Sequence, residues 1–138
     1  MNAPDSVRAS DKRGSWRVRM GDFRHVLELD REAGTVTAEP FVTVGEVTSF
    51  LLPHGLMLEA TLEMEDATLG GLALSQGMTT HSHRSGLVHD TVEAYELVSG
   101  TGERVRATRH ESPDVFAAAG FSHGTLGFLT SLTLRVVP

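Results

Sequence analysis

Residues 57–90 constrain the chain most, because regular hydrophobic periodicity stops there and Gly, Thr, Ser and His take over. Only a short apolar helix suggests itself inside the stretch, around Gly71 to Leu74. Irregular segments of that length inside a compact domain are uncommon unless they serve a function. Such a segment needs a rigid scaffold to carry it, and the flanking sequence supplies one.

Upstream, residues 25–30 alternate as a strand, residues 31–34 turn at Gly34, and residues 35–39 return as a strand rich in β-branched side chains. This is a hairpin. Thr43 and Glu46 have the spacing of a capping box, so a helix starts there. Val44, Val47, Phe50 and Leu51 share one of its faces, and Pro53 with Gly55 ends it. Downstream, residues 92–98 and 104–108 form a second hairpin about the turn 99–102. Ser112, Pro113 and Asp114 read as a capped helix start, with Gly120 as the stop. In the last strand Leu132, Leu134 and Val136 alternate with Ser131, Thr133 and Arg135. The order hairpin, helix, loop region, hairpin, helix, strand predicts an α+β fold, a mixed or antiparallel sheet with helices packed on it.

The chain's 138 residues suit one domain. Residues 1–14 are polar and uneven and are expected to be poorly ordered, leaving 15–138 as the folded part. A net charge of −6 argues against nucleic acid as a partner. The local excess of Arg8, Lys12, Arg13, Arg17, Arg19 and Arg24 reads as a solvated surface or as a contact for phosphate or an anionic membrane. The absence of cysteine rules out disulfides and thiolate chemistry. No apolar run approaches the roughly 18 residues of a membrane span, and no signal-peptide core is present. No transmembrane segment and a cytoplasmic location are therefore expected.

Four constellations carry candidate chemistry. Thr68, Leu69, Gly70 and Gly71 continue through Leu72 and Ser75 to Gly77; paired glycines let a backbone touch a flat ligand, or simply make a tight turn before a helix. Gly86, Asp90 and Val92 lie in a loop running into a strand, a common place to hold a ligand, although Asp90 can equally cap the turn. Gly120, Gly124 and Gly127 surround Ser122 and His123; no nucleophile elbow frames Ser122, so a serine hydrolase is excluded. His81, His83 and His89 have partial metal-ligand spacing, with a polar cleft lining as the stronger alternative and no metal expected. Glu59, Glu63, Glu65 and Asp66 read as a solvated acidic loop rather than an acid–base pair.

Taken in order, these segments resemble a known family. Val36 through Val47, then Thr68 to Gly71, Ser85 to Val92, Tyr95 to Val98, and Gly124 to Leu129 are similar to the FAD-binding domain of vanillyl-alcohol-oxidase-type flavoproteins. Tyr95-Glu-Leu-Val98 and Gly124-Thr-Leu-Gly-Phe-Leu129 favour the sterol Δ24-reductase branch over sugar-lactone oxidases. The resemblance implies FAD as cofactor, with Thr68, Leu69, Gly70, Gly71, Leu72, Ser75, Gly77, Thr79 and Thr80 beside the isoalloxazine and ribityl groups. It also implies cofactor contacts from Gly86, Asp90 and Val92 and from Gly124, Thr125 and Leu126. The implied chemistry is hydride transfer: reduced flavin, recharged by NADPH, reduces the double bond of a small hydrophobic substrate, or the flavin oxidises an alcohol or lactone. By the same resemblance the loop that grips the FAD pyrophosphate and the substrate domain are expected outside this chain. No catalytic residue is assigned, and a non-catalytic flavin-fold remnant that binds another protein is the alternative.

Overall fold

The computed structural model describes residues 19–138. The expectation for residues 1–14 and the cations Arg8, Lys12, Arg13 and Arg17 lie outside the described residues. Among the described residues six strands form one sheet: β1 (Val26–Asp30), β2 (Thr35–Ala38), β3 (Met57–Leu58), β4 (Val92–Val98), β5 (Arg104–Thr108) and β6 (Phe128–Val137). They lie in the order β1-β2-β6-β4-β5, with β3 also paired to β6, and every pairing is antiparallel. The fold is α+β, as the sequence predicts.

Strand β6 is the keystone. Its side chains alternate, so one face meets the core and the other meets water. Ala38, Leu132, Tyr95 and Ala107 lie side by side across four strands, and all are at most 1% exposed. Val36, Leu134 and Val92 make a second such row. The opposite face is polar: Thr37 and Thr133 hydroxyls meet at 2.9 Å, and Arg106 pairs with Glu96 at 3.2 Å.

Helices α1 (Val44–Leu51), α2 (Leu69–Ala73), α3 (Ser82–Ser85) and α4 (Pro113–Ala119) accompany the sheet among the described residues, with 3₁₀ turns at Leu52–His54 and Val88–Thr91. Helix α1 buries Val44, Val47 and Leu51 and carries the full capping box: the Glu46 amide donates to Thr43 Oγ1, and the Thr43 amide donates to Glu46 Oε2 at 2.9 Å. Helix α4 packs through Phe116, whose ring lies 5.7 Å from that of Tyr95. Its start differs from the expectation. Ser112 has φ 47 and makes no side-chain cap, because the chain turns through a left-handed residue to enter the helix at Pro113.

Arg135, on β6, ties three segments together. Its guanidinium donates to Glu59 at 2.5 Å, to Glu93 at 2.6 Å and to the Asp90 carbonyl at 3.1 Å. Burial works against the charge on Arg135, but its hydrogen bonds to the Glu59 and Glu93 carboxylates outweigh it and raise its pKa.

Candidate functional site

A cleft of about 890 Å³ lies at the end of the sheet where β4 finishes and β6 begins. That is within the roughly 300–1,000 Å³ typical of small-molecule sites. Four segments wall it: Pro40 and Phe41 after β2, α2 with Leu74 and Ser75, the β4–β5 turn, and the loop from His123 to Leu129.

The first two walls are braced against each other. Thr43 and Thr68 form a bridge between the approaches to α1 and α2. The Leu69 amide donates to the Val42 carbonyl and the Gly70 amide to the Pro40 carbonyl, both at 2.9 Å. The Gly71 amide donates to Thr68 Oγ1 at 3.3 Å, capping the helix. The first-turn N–H groups of α2 are therefore spent within the protein, and this helix end has no free donors for a phosphate. Gly70 is required by packing, since a Cβ there would lie 2.6 Å from Pro40 Cβ. Gly71 faces the cleft, and a Cβ there would meet only Thr68 Oγ1.

The loop wall is built differently. Phe121, His123, Gly124 and Gly127 all have positive φ. A Cβ on Gly127 would lie 2.4 Å from the Val98 carbonyl oxygen, so only glycine fits where β6 leaves the loop. The His123 amide donates to the Leu74 carbonyl at 2.8 Å, clasping this wall to the end of α2. Phe41, Leu126 and Phe128 are 40%, 39% and 49% exposed and line the cleft, so it offers aromatic and aliphatic surface to a ligand. No Lys, Arg, Asp or Glu lines it among the described residues.

Of the residues singled out from the sequence, Thr68, Gly70, Gly71, Ser75, His123, Gly124, Thr125, Leu126 and Gly127 come together in this cleft. Leu69 is fully buried beneath it, and Leu72 packs against the core. The others lie elsewhere. A Cβ on Gly77 would strike Val88, and one on Gly86 would strike Asp90, whose Oδ2 accepts the Leu87 amide at 2.8 Å. Asp90 thus caps its own turn, and Val92 is fully buried. Thr79 is buried and accepts the His81 amide; the Thr80 carbonyl meets His83 Nδ1 at 3.0 Å. The stretches at 70 and 124 converge, whereas the stretch at 86 sits behind them without lining the cleft. No set of three His, Cys, Asp or Glu side chains converges for a metal among the described residues.

Cleft contributors not anticipated as site residues are Met20, the Pro40–Phe41 pair, Leu74, Val98, the Ser99–Gly102 turn, and Phe128 with Leu129. The Ser99–Gly102 segment read only as a hairpin turn, and its glycines were the available signal.

An open, apolar cleft with backbone-lined walls suits a flat, uncharged ring; it does not suit a pyrophosphate, for which the described lining provides neither cation nor free helix amides.

The chain matches the family described as FAD binding domain over residues 5–108. It is 42% identical to the Δ24-sterol reductase of Arabidopsis thaliana over 123 residues, covering 88% of this chain and 22% of that protein. To the human Δ24-sterol reductase it is 38% identical over 133 residues, covering 96% of this chain and 26% of that protein. The crystal structure of 6-hydroxy-D-nicotine oxidase from Arthrobacter nicotinovorans superposes with a TM-score of 0.76 at 20% identity, over 83% of this chain and 25% of that one. That likeness concerns the fold. The chain spans only 22% and 26% of the two reductases.

Proposed function

Because the chain belongs to the FAD binding domain family, whose cofactor is FAD, we propose that its cleft holds the ring end of that cofactor in an oxidoreductase that reduces a carbon–carbon double bond. The observation that carries this reading is the convergence of Gly71 and Gly124 beside Phe41, Leu126 and Phe128 in one apolar cleft. Glycine backbone would allow a planar ring to approach closely, and Phe41 and Phe128 would supply aromatic surface beside it. The support for the alkene over an alcohol or lactone is the similarity to two Δ24-sterol reductases.

When bound, the flavin supplies the hydride chemistry. The residues of this chain bind and orient. Thr68 holds the first turn of α2 in place, so that Gly71 presents bare backbone to the cleft. The clasp between His123 and Leu74 fixes the distance between the two main walls. Leu126 and Phe128 would offer apolar surface to a ring held in the cleft. A nicotinamide such as NADPH would recharge the flavin, and a small hydrophobic alkene such as a sterol side chain would accept the hydride.

Titration of the purified chain with FAD, followed by flavin fluorescence, tests the binding step. Saturable quenching at micromolar concentration supports it. A protein that neither carries nor takes up flavin points instead to a binding domain without catalysis. The choice of reaction is tested by supplying reduced flavin and following loss of the Δ24 double bond; turnover of an alcohol or lactone in its place refutes the alkene assignment.

A further inference from the structure

The chain enters the described structure at the rim of the cleft. Arg19 is the first described residue, and Met20 already lines the cleft wall. The Met20 carbonyl accepts the Phe23 amide at 3.0 Å, and the Phe23 carbonyl accepts the Phe41 amide at 2.9 Å. Phe41 lines the same cleft. Residues 15–18 are therefore tethered, through Arg19, to one of the cleft's own walls.

Their sequence has a two-residue period. Trp16, Val18 and Met20 alternate with Ser15, Arg17 and Arg19. In an extended backbone the three apolar side chains share one face and the two arginines share the other. Met20 decides which face turns inward, because it lies in the cleft lining. Extended residues advance about 3.3 Å each, so Trp16 can stand up to about 13 Å beyond Met20. That reach spans a cleft of about 890 Å³. The lining also suits an indole: Phe41, Leu126 and Phe128 are all exposed, and no Lys, Arg, Asp or Glu lines the cleft among the described residues. An indole buries a large apolar area, and its N–H needs only one acceptor, which a wall rich in backbone can offer.

We propose that residues 15–18 form a strap across the cleft, with Trp16 and Val18 turned in against its apolar lining and Arg17 turned out to water. The strap is the cleft's own occupant. It covers apolar surface that the described residues leave open, and a flat ligand enters by displacing the indole. The proposal goes beyond the flavin reading and does not depend on it, since the strap answers to the apolar lining whatever ligand the cleft takes.

Trp16 is the only tryptophan of the chain, so its fluorescence in the full, flavin-free protein reports on the strap directly. Acrylamide quenching of the parent is expected to be about tenfold weaker than that of the urea-unfolded chain, the ratio for a strap closed in about nine molecules of ten. Val18→Glu puts a charge on the inward face; it should raise the quenching severalfold and shift the emission to the red. Arg17→Glu changes the outward face and should leave both as in the parent. Both positions precede the described fold, and far-UV circular dichroism of the two variants checks that it is retained. Quenching of the parent equal to that of the unfolded chain overturns the strap, as do equal responses to the two variants. Shielding that disappears on dilution assigns the cover to a second copy of the chain and overturns it as well. A chain that shields Trp16 but takes up no FAD keeps the strap and refutes the flavin reading.

Discussion

Gly70→Ala tests whether the cleft wall is set by close packing of α2 on the β2 exit. The new Cβ would lie 2.6 Å from Pro40 Cβ and 3.0 Å from the Pro40 carbonyl oxygen. Carbon atoms sit comfortably at about 3.5–4.0 Å, so the helix start must retreat by about 1 Å. Backbone lies on both sides of the contact, and no flexible side chain can give way. Overpacking of this kind costs about 1–3 kcal/mol. Stretching the bond from the Gly70 amide to Pro40, now 2.9 Å, adds part of about 1 kcal/mol. Alanine's better helix propensity returns at most about 1 kcal/mol. The net loss is about 1–3 kcal/mol, or about 4–12 °C in melting temperature for a domain of this size. Gly71→Ala is the control. Its Cβ meets only Thr68 Oγ1, at 2.9 Å, and the loss of about 1 kcal/mol from a disturbed cap is matched by a similar propensity gain. Urea melts of both variants decide the matter. If Gly70→Ala is as stable as the parent, or if Gly71→Ala is the more damaging of the two, the packing argument is refuted.

Three further outcomes are expected. Gly71→Val, and a bulky residue at Gly124, should abolish flavin uptake with the fold retained, read as fluorescence titration against far-UV circular dichroism; FAD binding equal to the parent's in both variants would misplace the cofactor. Arg135→Met should lower stability by about 2 kcal/mol, between the values for exposed and buried pairs, because Glu59 and Glu93 lose their shared cation; unchanged denaturant midpoints would show the network to be energetically silent. The Thr43 backbone N–H bond, aided by Arg24, holds the Glu46 carboxyl below the ordinary 4.5. A lowered folded pKa gives stability that is present above the unfolded value and lost as pH falls through the folded one, so Glu46→Gln should flatten the acid limb of the stability profile below about pH 4.5.

The sheet was legible because its signals are local. Residues 35–38 alternate around β-branched side chains, the capping box at Thr43 and Glu46 closes in both directions, and β6 buries every apolar residue of its alternating half. Ser112 misled because its composition is that of a cap while its backbone is left-handed, and dihedral angles are not written in residue type. Helix α3 and the turn at Val88–Thr91 were missed, since four residues offer no apolar period to read. At the site, a glycine announces that space is needed but not what fills it. Val88 fills the space at Gly77, Asp90 fills it at Gly86, and at Gly71 and Gly124, as at Gly100 and Gly102 of the β4–β5 turn, it opens into the cleft. The contribution of Phe41 and Phe128 was hidden for the complementary reason, because an aromatic residue beside a strand reads first as core.

The position of β6 in the chain governs how the molecule assembles. It is synthesised after the other five strands described, yet β2 and β4 each pair with it and not with one another. The β1–β2 and β4–β5 hairpins can close early, but they remain two separate ribbons with open edges until residues 128–137 have left the ribosome. Pairings as distant as Thr35 with Arg135 make folding slow for a domain of this length. A nascent chain stalled within the Gly124–Gly127 loop would display unjoined edges to its neighbours, and aggregation during translation, rather than loss of the finished fold, would be its characteristic failure.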